Sequence, residues 1–157
     1  MHRIILPLSL IFLLFSCGGG NKKNLEKIKV QLVSEGPLYG GSNTATGKWK
    51  APSMAKVHSA KITAASLYSA DTSLNGLAAN VVLQVAAAET QMKKIAFFKG
   101  NAGAGSLKLS LAEDQKGMEE FFKGQEITFV ADFDLLPEEY AGNLSFTLEF
   151  DAELTTD

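Results

Sequence analysis

The chain predicts an all-β fold, an antiparallel β-sandwich of about seven strands with one or two short helices. Two stretches near the C-terminus carry most of that prediction. Leu144, Phe146, Leu148, Phe150, Ala152 and Leu154 alternate with Ser145, Thr147, Glu149, Asp151 and Glu153. That period of two puts apolar side chains on one face and polar ones on the other. Ile127, Phe129, Ala131 and Phe133 repeat the pattern. Turn-forming residues separate these runs from their neighbours, as the connections of an antiparallel sheet require.

Taken in order, Ile28, Val30 and Leu32 form an inner face between Lys27, Lys29 and Gln31. A long connection, Gly36 to Ser53, follows. The segments Val57–Ser69 and Met92–Lys99 read as strands with less regular alternation. Val81, Leu83 and Val85 form another inner face, and Leu107, Leu109 and Leu111 a further one with Lys108 and Ser110 outward. Asp114 is positioned to cap a short helix carrying Met118, Phe121 and Phe122 on one side and ended by Gly124. Those three apolar residues at helical spacing suit a plug over one open end of the sandwich. A second short helix fits Ser73–Ala79. Leu135-Leu136-Pro137 reads as a turn between the last two strands. No solenoid period is present. The resulting body is Ig-like in general architecture.

The N-terminus has a different character. Met1-His2-Arg3 is a short basic start, and Ile4 to Phe15 is nearly all aliphatic or aromatic. This run is too short for a helix to span a hydrocarbon core of about 30 Å. It ends at Leu14-Phe15-Ser16-Cys17, and the composition then switches to Gly18-Gly19-Gly20-Asn21-Lys22-Lys23. The segment resembles a bacterial lipoprotein signal peptide with its lipobox, although Phe15 stands where a small residue is usual. The resemblance implies cleavage before Cys17 and lipidation of its thiol and new amino group. Cys17 is the one cysteine of the chain, so the mature protein has no disulfide and depends on a hydrophobic core. On this reading residues 1–16 are a signal peptide and 17–25 are the lipidated cysteine and a flexible tether. Residues 26–157 are one β-sandwich domain, long enough to bury a core.

The segment order is loosely similar to that of small, uncharacterised bacterial envelope lipoproteins with a β-sandwich body. It runs through Val81-Val82-Leu83-Gln84-Val85, Lys94-Ile95-Ala96, Leu107-Lys108-Leu109-Ser110-Leu111 and the Phe121-Phe122-Lys123-Gly124 turn to two final strands. The resemblance implies no functional residues, because that group has no established activity. It implies an envelope address, anchored by lipid to the outer membrane, with the periplasmic face favoured over the cell surface. No acidic run and no aspartate follow Cys17 to direct it elsewhere.

The long connection is the candidate interaction loop. It holds Tyr39 and the single tryptophan, Trp49, flanked by Lys48 and Lys50. Exposed aromatics beside amide and hydroxyl groups suit stacking on a sugar ring or an apolar partner side chain. The alternative is that Trp49 folds back to cap the core.

Charge is divided unevenly along the chain. Residues 17–99 carry eleven lysines against four acids, and residues 100–157 three lysines against thirteen acids. One reading is complementary strands that interleave in the sheet; the other is a basic face for an acidic glycan, lipid or protein. Asp132, Asp134, Glu138 and Glu139 form a weak calcium candidate, because calcium takes six to eight oxygens at about 2.3–2.6 Å. Their spacing departs from a calcium-binding loop, and an inward Phe133 leaves Asp132 and Asp134 facing solvent. Gly100-Asn101-Ala102-Gly103-Ala104-Gly105 reads as a hairpin loop. Gly41 to Gly47 before Lys48 fails as a phosphate-binding loop, since the gap is too long and Trp49 replaces the required hydroxyl residue.

No enzyme is expected. Past the leader one histidine remains, His58, without a nucleophile elbow, a zinc-ligand partner or a cysteine nucleophile. No cofactor is expected either. The expected function is a lipid-anchored, non-enzymatic envelope protein that binds a protein or glycan, with the membrane as its first partner and no nucleic acid. The alternatives are a structural accessory subunit of an outer-membrane complex and a hydrolase whose site is not visible in the sequence.

Overall fold

The structure, a computed structural model, describes residues 20–54, 56–69, 78–103 and 105–157. Residues 1–16, expected to be a signal peptide, and Cys17 lie outside the described residues. Nine strands follow in order: β1 (Asn21–Ser34), β2 (Leu38–Lys50), β3 (Val57–Tyr68), β4 (Ala78–Ala87), β5 (Lys93–Phe97), β6 (Ser106–Lys108), β7 (Ser110–Leu111), β8 (Glu126–Tyr140) and β9 (Leu144–Thr156). A 3₁₀ turn, Met118–Phe122, sits between β7 and β8. The strands form one antiparallel sheet in the order β6-β3-β9-β1-β2-β8-β4-β5-β7. The fold is all-β, as the alternation predicts. It differs from a seven-stranded sandwich in being a single sheet nearly closed into a barrel.

Closure depends on one short segment. β6 pairs with β3 through Leu67↔Leu107, and β7 pairs with β5 through Ala96↔Leu111. Between them the Leu109 N–H donates to the Ala65 carbonyl at 2.9 Å, and the Ala112 N–H to the Ile95 carbonyl at 2.9 Å. The run Leu107–Leu111 is therefore one extended stretch that changes partner at the buried Leu109. It links the two ends of the sheet. β5 and β7 form a wide hairpin whose tip includes the described glycines Gly100, Gly103 and Gly105.

The ladder is thinnest between β1 and β2, where Val33↔Thr46 is the registered pair. Gly47 lies at this corner. A Cβ added there would stand 2.0 Å from the Gln31 carbonyl oxygen and 2.7 Å from a Leu32 methyl. Only glycine lets the two backbones approach so closely. At the β1–β2 turn, a Cβ on Gly36 would stand 2.2 Å from the Gly142 carbonyl oxygen.

The barrel interior is filled by the inward residues of every long strand. Phe129, Phe133, Phe150, Leu83, Ile127 and Leu148 are almost fully buried. Phe133 and Phe146 meet edge to face at 5.3 Å between ring centres, and Phe129 and Phe150 lie 5.1 Å apart. No buried side-chain nitrogen or oxygen among the described residues lacks a hydrogen bond. At one end, Met118, Phe121 and Phe122 of the 3₁₀ turn are buried and stop the barrel as a plug. Gly20 and Thr156 lie at this same end. At the opposite end, the rim, β1 turns into β2 and β8 into β9.

Several local expectations are corrected. The stretch Gly36–Ser53 is mostly strand, not loop. β2 pairs with β8 from Leu38↔Tyr140 to Lys50↔Glu126, so its backbone groups are used even where its side chains are small and polar. Leu135-Leu136-Pro137 is not a turn. β8 continues to Tyr140 and bulges opposite Gly40, which accommodates a residue without an N–H. Asn21–Leu25, read as part of the tether, extends β1 against Ala152–Thr156 of β9. Asp114 does not cap the plug turn. Gly117, with φ of 78°, occupies that position, and Asp114 accepts the Lys116 N–H at 3.0 Å. The helix expected at Ser73–Ala79 falls largely outside the described residues, and Ala78 and Ala79 begin β4.

Candidate interaction surface

The four residues expected to share one loop stand at opposite ends of β2. Tyr39 is at the rim, and Lys48, Trp49 and Lys50 are at the plug end. Ten residues of extended strand separate Tyr39 from Trp49, or about 33 Å. No common binding site contains them both.

Trp49 folds back onto the core, as the alternative reading expects. Its ring is half-buried and meets Phe150 edge to face at 5.5 Å and Phe122 at 6.2 Å. It thus joins the plug turn to the barrel interior. Lys48 is exposed and its ammonium lies 2.8 Å from the Glu126 carboxylate. That hydrogen bond and the adjacent negative charge hold the Lys48 pKa above its usual value. Lys50 is exposed on the same strand.

Tyr39 is different. It remains 62% exposed, the most exposed large hydrophobic side chain among the described residues. The chain bulges between Tyr39 and Gly41. The Asn43 carboxamide holds that bulge by donating to the Tyr39 and Gly41 carbonyls, both at 2.8 Å. Across the ladder Tyr39 is in register with Glu139, and Gly41 with Leu135. Leu136, Pro137 and Glu138 are therefore looped out opposite Gly40, with Leu136 45% exposed. The rim thus displays two apolar side chains, Tyr39 and Leu136, beside the carboxylates of Glu138 and Glu139. The sequence offered one cue for this: Leu136 breaks the inward-outward alternation of Phe133 and Leu135.

The four acids of the calcium candidate are not gathered into one cage. Asp132 is already engaged, accepting from the Thr44 hydroxyl at 2.7 Å and the Gln84 carboxamide at 2.6 Å. Asp134 accepts from the Asn80 carboxamide at 2.9 Å. Among the described residues, no group of three or more His, Cys, Asp or Glu side chains is placed to hold a metal ion. These two aspartates stitch β2, β8 and β4 together on the outer face.

His58 lies exposed near the start of β3, where its Nε2 contacts the Asp157 carboxylate. Pairing offsets part of the uneven charge along the chain. Lys22 meets Glu153 at 3.1 Å, Lys29 meets Glu149 at 3.6 Å, Lys48 meets Glu126 and Lys93 meets Asp114 at 4.0 Å. Each pair joins a lysine of the first half to an acid of the second.

Two concave features complete the surface. A small cleft at the rim is lined by Leu67, Tyr68, Ala78, Val81, Leu107 and Phe146. A shallow groove beside β5 is lined by Met92, Phe97, Leu111 and Asp114, with the Lys94 ammonium 5.7 Å from the Phe97 ring centre. Among the described residues no helix is long and apolar enough to cross a membrane. Compared with known proteins, the chain matches no family model and no curated protein.

Proposed function

We propose that this chain is a lipid-anchored, non-enzymatic envelope protein that binds a protein or glycan through the Tyr39–Leu136 rim of its barrel. The observation that carries the binding reading is the exposure of Tyr39 and Leu136 on a rim held by Asn43 at the β2–β8 bulge. An amphipathic aromatic on a rigid strand loses little freedom on binding and offers both stacking area and a hydroxyl. The anchoring reading rests on the Leu14–Cys17 segment and the composition switch that follows it. Lys48, Trp49 and Lys50 have no part in this surface, since Trp49 serves the core.

The test is capture from mildly solubilised membranes with tagged, full-length protein, alongside Tyr39→Ala and Leu136→Ser. A stoichiometric partner or a bound glycan lost in both variants supports the reading. Equal capture by all three forms sinks the rim. Intact mass of the same material reports acylation at Cys17, and an unmodified thiol sinks the anchor.

A further inference from the structure

We infer that the barrel stands end-on at the membrane, with its plug end against an anionic lipid surface and the Tyr39 rim pointing away. The inference rests on the lipid-anchor reading given above and adds an orientation to it.

Tether length is the first argument. The sequence places only Gly18, Gly19 and Gly20 between Cys17 and β1. Gly20 is itself held against β9, because a Cβ there would stand 2.7 Å from the Thr156 carbonyl oxygen. Three chain steps therefore connect an acylated Cys17 to a fixed point on the barrel, at most about 11 Å. Strands of this length make the barrel about 30 Å tall, allowing for strand tilt. The Tyr39 rim cannot reach the bilayer on such a tether while the plug end remains beside it.

What surrounds that fixed point is the second argument. Lys23, Lys50 and Lys56 are exposed near the plug end and form no ion pair among the described residues. Lys56 shares a shallow groove with Met54, His58, Glu120 and Lys123. Unpaired lysines close to a lipid surface favour anionic headgroups, and the attraction fades within a screening length. Lys22, beside Lys23 at the same end, is matched by Glu153 of β9, and Lys29, farther along β1, by Glu149.

The experiment uses the natively lipidated protein, whose single thiol is occupied by the anchor. New cysteines are introduced as Lys56→Cys at the plug end, Lys29→Cys on the side and Tyr39→Cys at the rim. Each is labelled with a small fluorophore and reconstituted into vesicles of phosphatidylethanolamine and phosphatidylglycerol carrying a headgroup-attached nitroxide quencher. The expected result is several-fold stronger quenching at residue 56 than at residue 39, with residue 29 between them. Inserting ten Gly/Ser residues between Gly20 and Asn21 is expected to weaken the residue-56 signal while flotation with vesicles persists. Flotation with equal quenching at all three positions, or strongest at residue 29 or 39, overturns the orientation alone. Failure to float overturns the anchor reading and this inference with it.

Discussion

The carboxamide of Gln115 completes the backbone hydrogen bonding of Ile62, accepting its N–H at 2.7 Å and donating to its carbonyl at 3.0 Å. The side chain acts there as a one-residue strand. It serves β3 where the Ile62–Ala64 irregularity disturbs pairing with β9 and where β6 has not yet begun. Gln115→Ala leaves both backbone groups without that partner, and Gln115→Glu sets a carboxylate against a carbonyl. Each is expected to cost about 1–3 kcal/mol. Urea unfolding should show a lower midpoint with an unchanged slope.

Gly47 sets the distance between β1 and β2. Gly47→Ala is expected to destabilise by about 1–3 kcal/mol or more, because the new methyl meets backbone rather than a movable side chain. Gly103→Ala is the control: its Cβ meets nothing within 4 Å, and its cost should stay within about 0.5 kcal/mol. Thermal unfolding of the two variants side by side checks the contrast.

Trp49 and Tyr39 should separate packing from recognition. Trp49→Ala removes the ring that bridges Phe122 and Phe150, and it should cost about 2 kcal/mol or more in unfolding experiments. Tyr39→Ala should leave the unfolding midpoint nearly unchanged and lower partner capture. The reverse pattern would reassign the two aromatics.

Acid should weaken the Asp114 contact. The Lys116 N–H and, secondarily, the Lys93 ammonium hold the Asp114 pKa below the usual carboxylate range. Its contribution is therefore fully present above the ordinary aspartate pKa and is lost as pH falls through the lowered folded value. Asp114→Asn should be less stable than the parent at neutral pH, with the gap narrowing at strongly acid pH. Two-dimensional NMR titration of the Asp114 carboxyl checks the direction directly.

Strands that present apolar side chains to the interior were legible in the sequence. Leu144–Leu154 and Ile127–Phe133 needed only their period, and Met118, Phe121 and Phe122 announced the plug. β2 was not legible. Of its thirteen residues, Leu38 and Ala45 are buried and much of the rest is Gly, Ser, Asn, Thr and Lys, so it has almost no apolar stripe. It is a strand because β8 pairs with it, a tertiary cause that local composition does not encode. Asn21–Leu25 was hidden for the same reason, being mostly polar and held by β9. Pro137 misled because a bulge opposite Gly40 removes the need for its missing N–H. The interaction surface was half legible: Tyr39 was visible as a candidate, but nothing in the sequence placed Leu136 beside it or removed Trp49 to the core.

The pairing of β1 with β9 sets the timing of folding. Asn21 lies opposite Thr156, and β9 sits between β1 and β3. β1 thus completes its long ladder only when the thirteen residues of β9 are available. A chain that emerges N-terminus first has no complete barrel to close until its final strand arrives, and pairings this distant in sequence form slowly. Until then Leu25, Val30 and Leu32 have no β9 to cover them. Throughout that interval β1 carries the aggregation risk of an unpaired apolar strand.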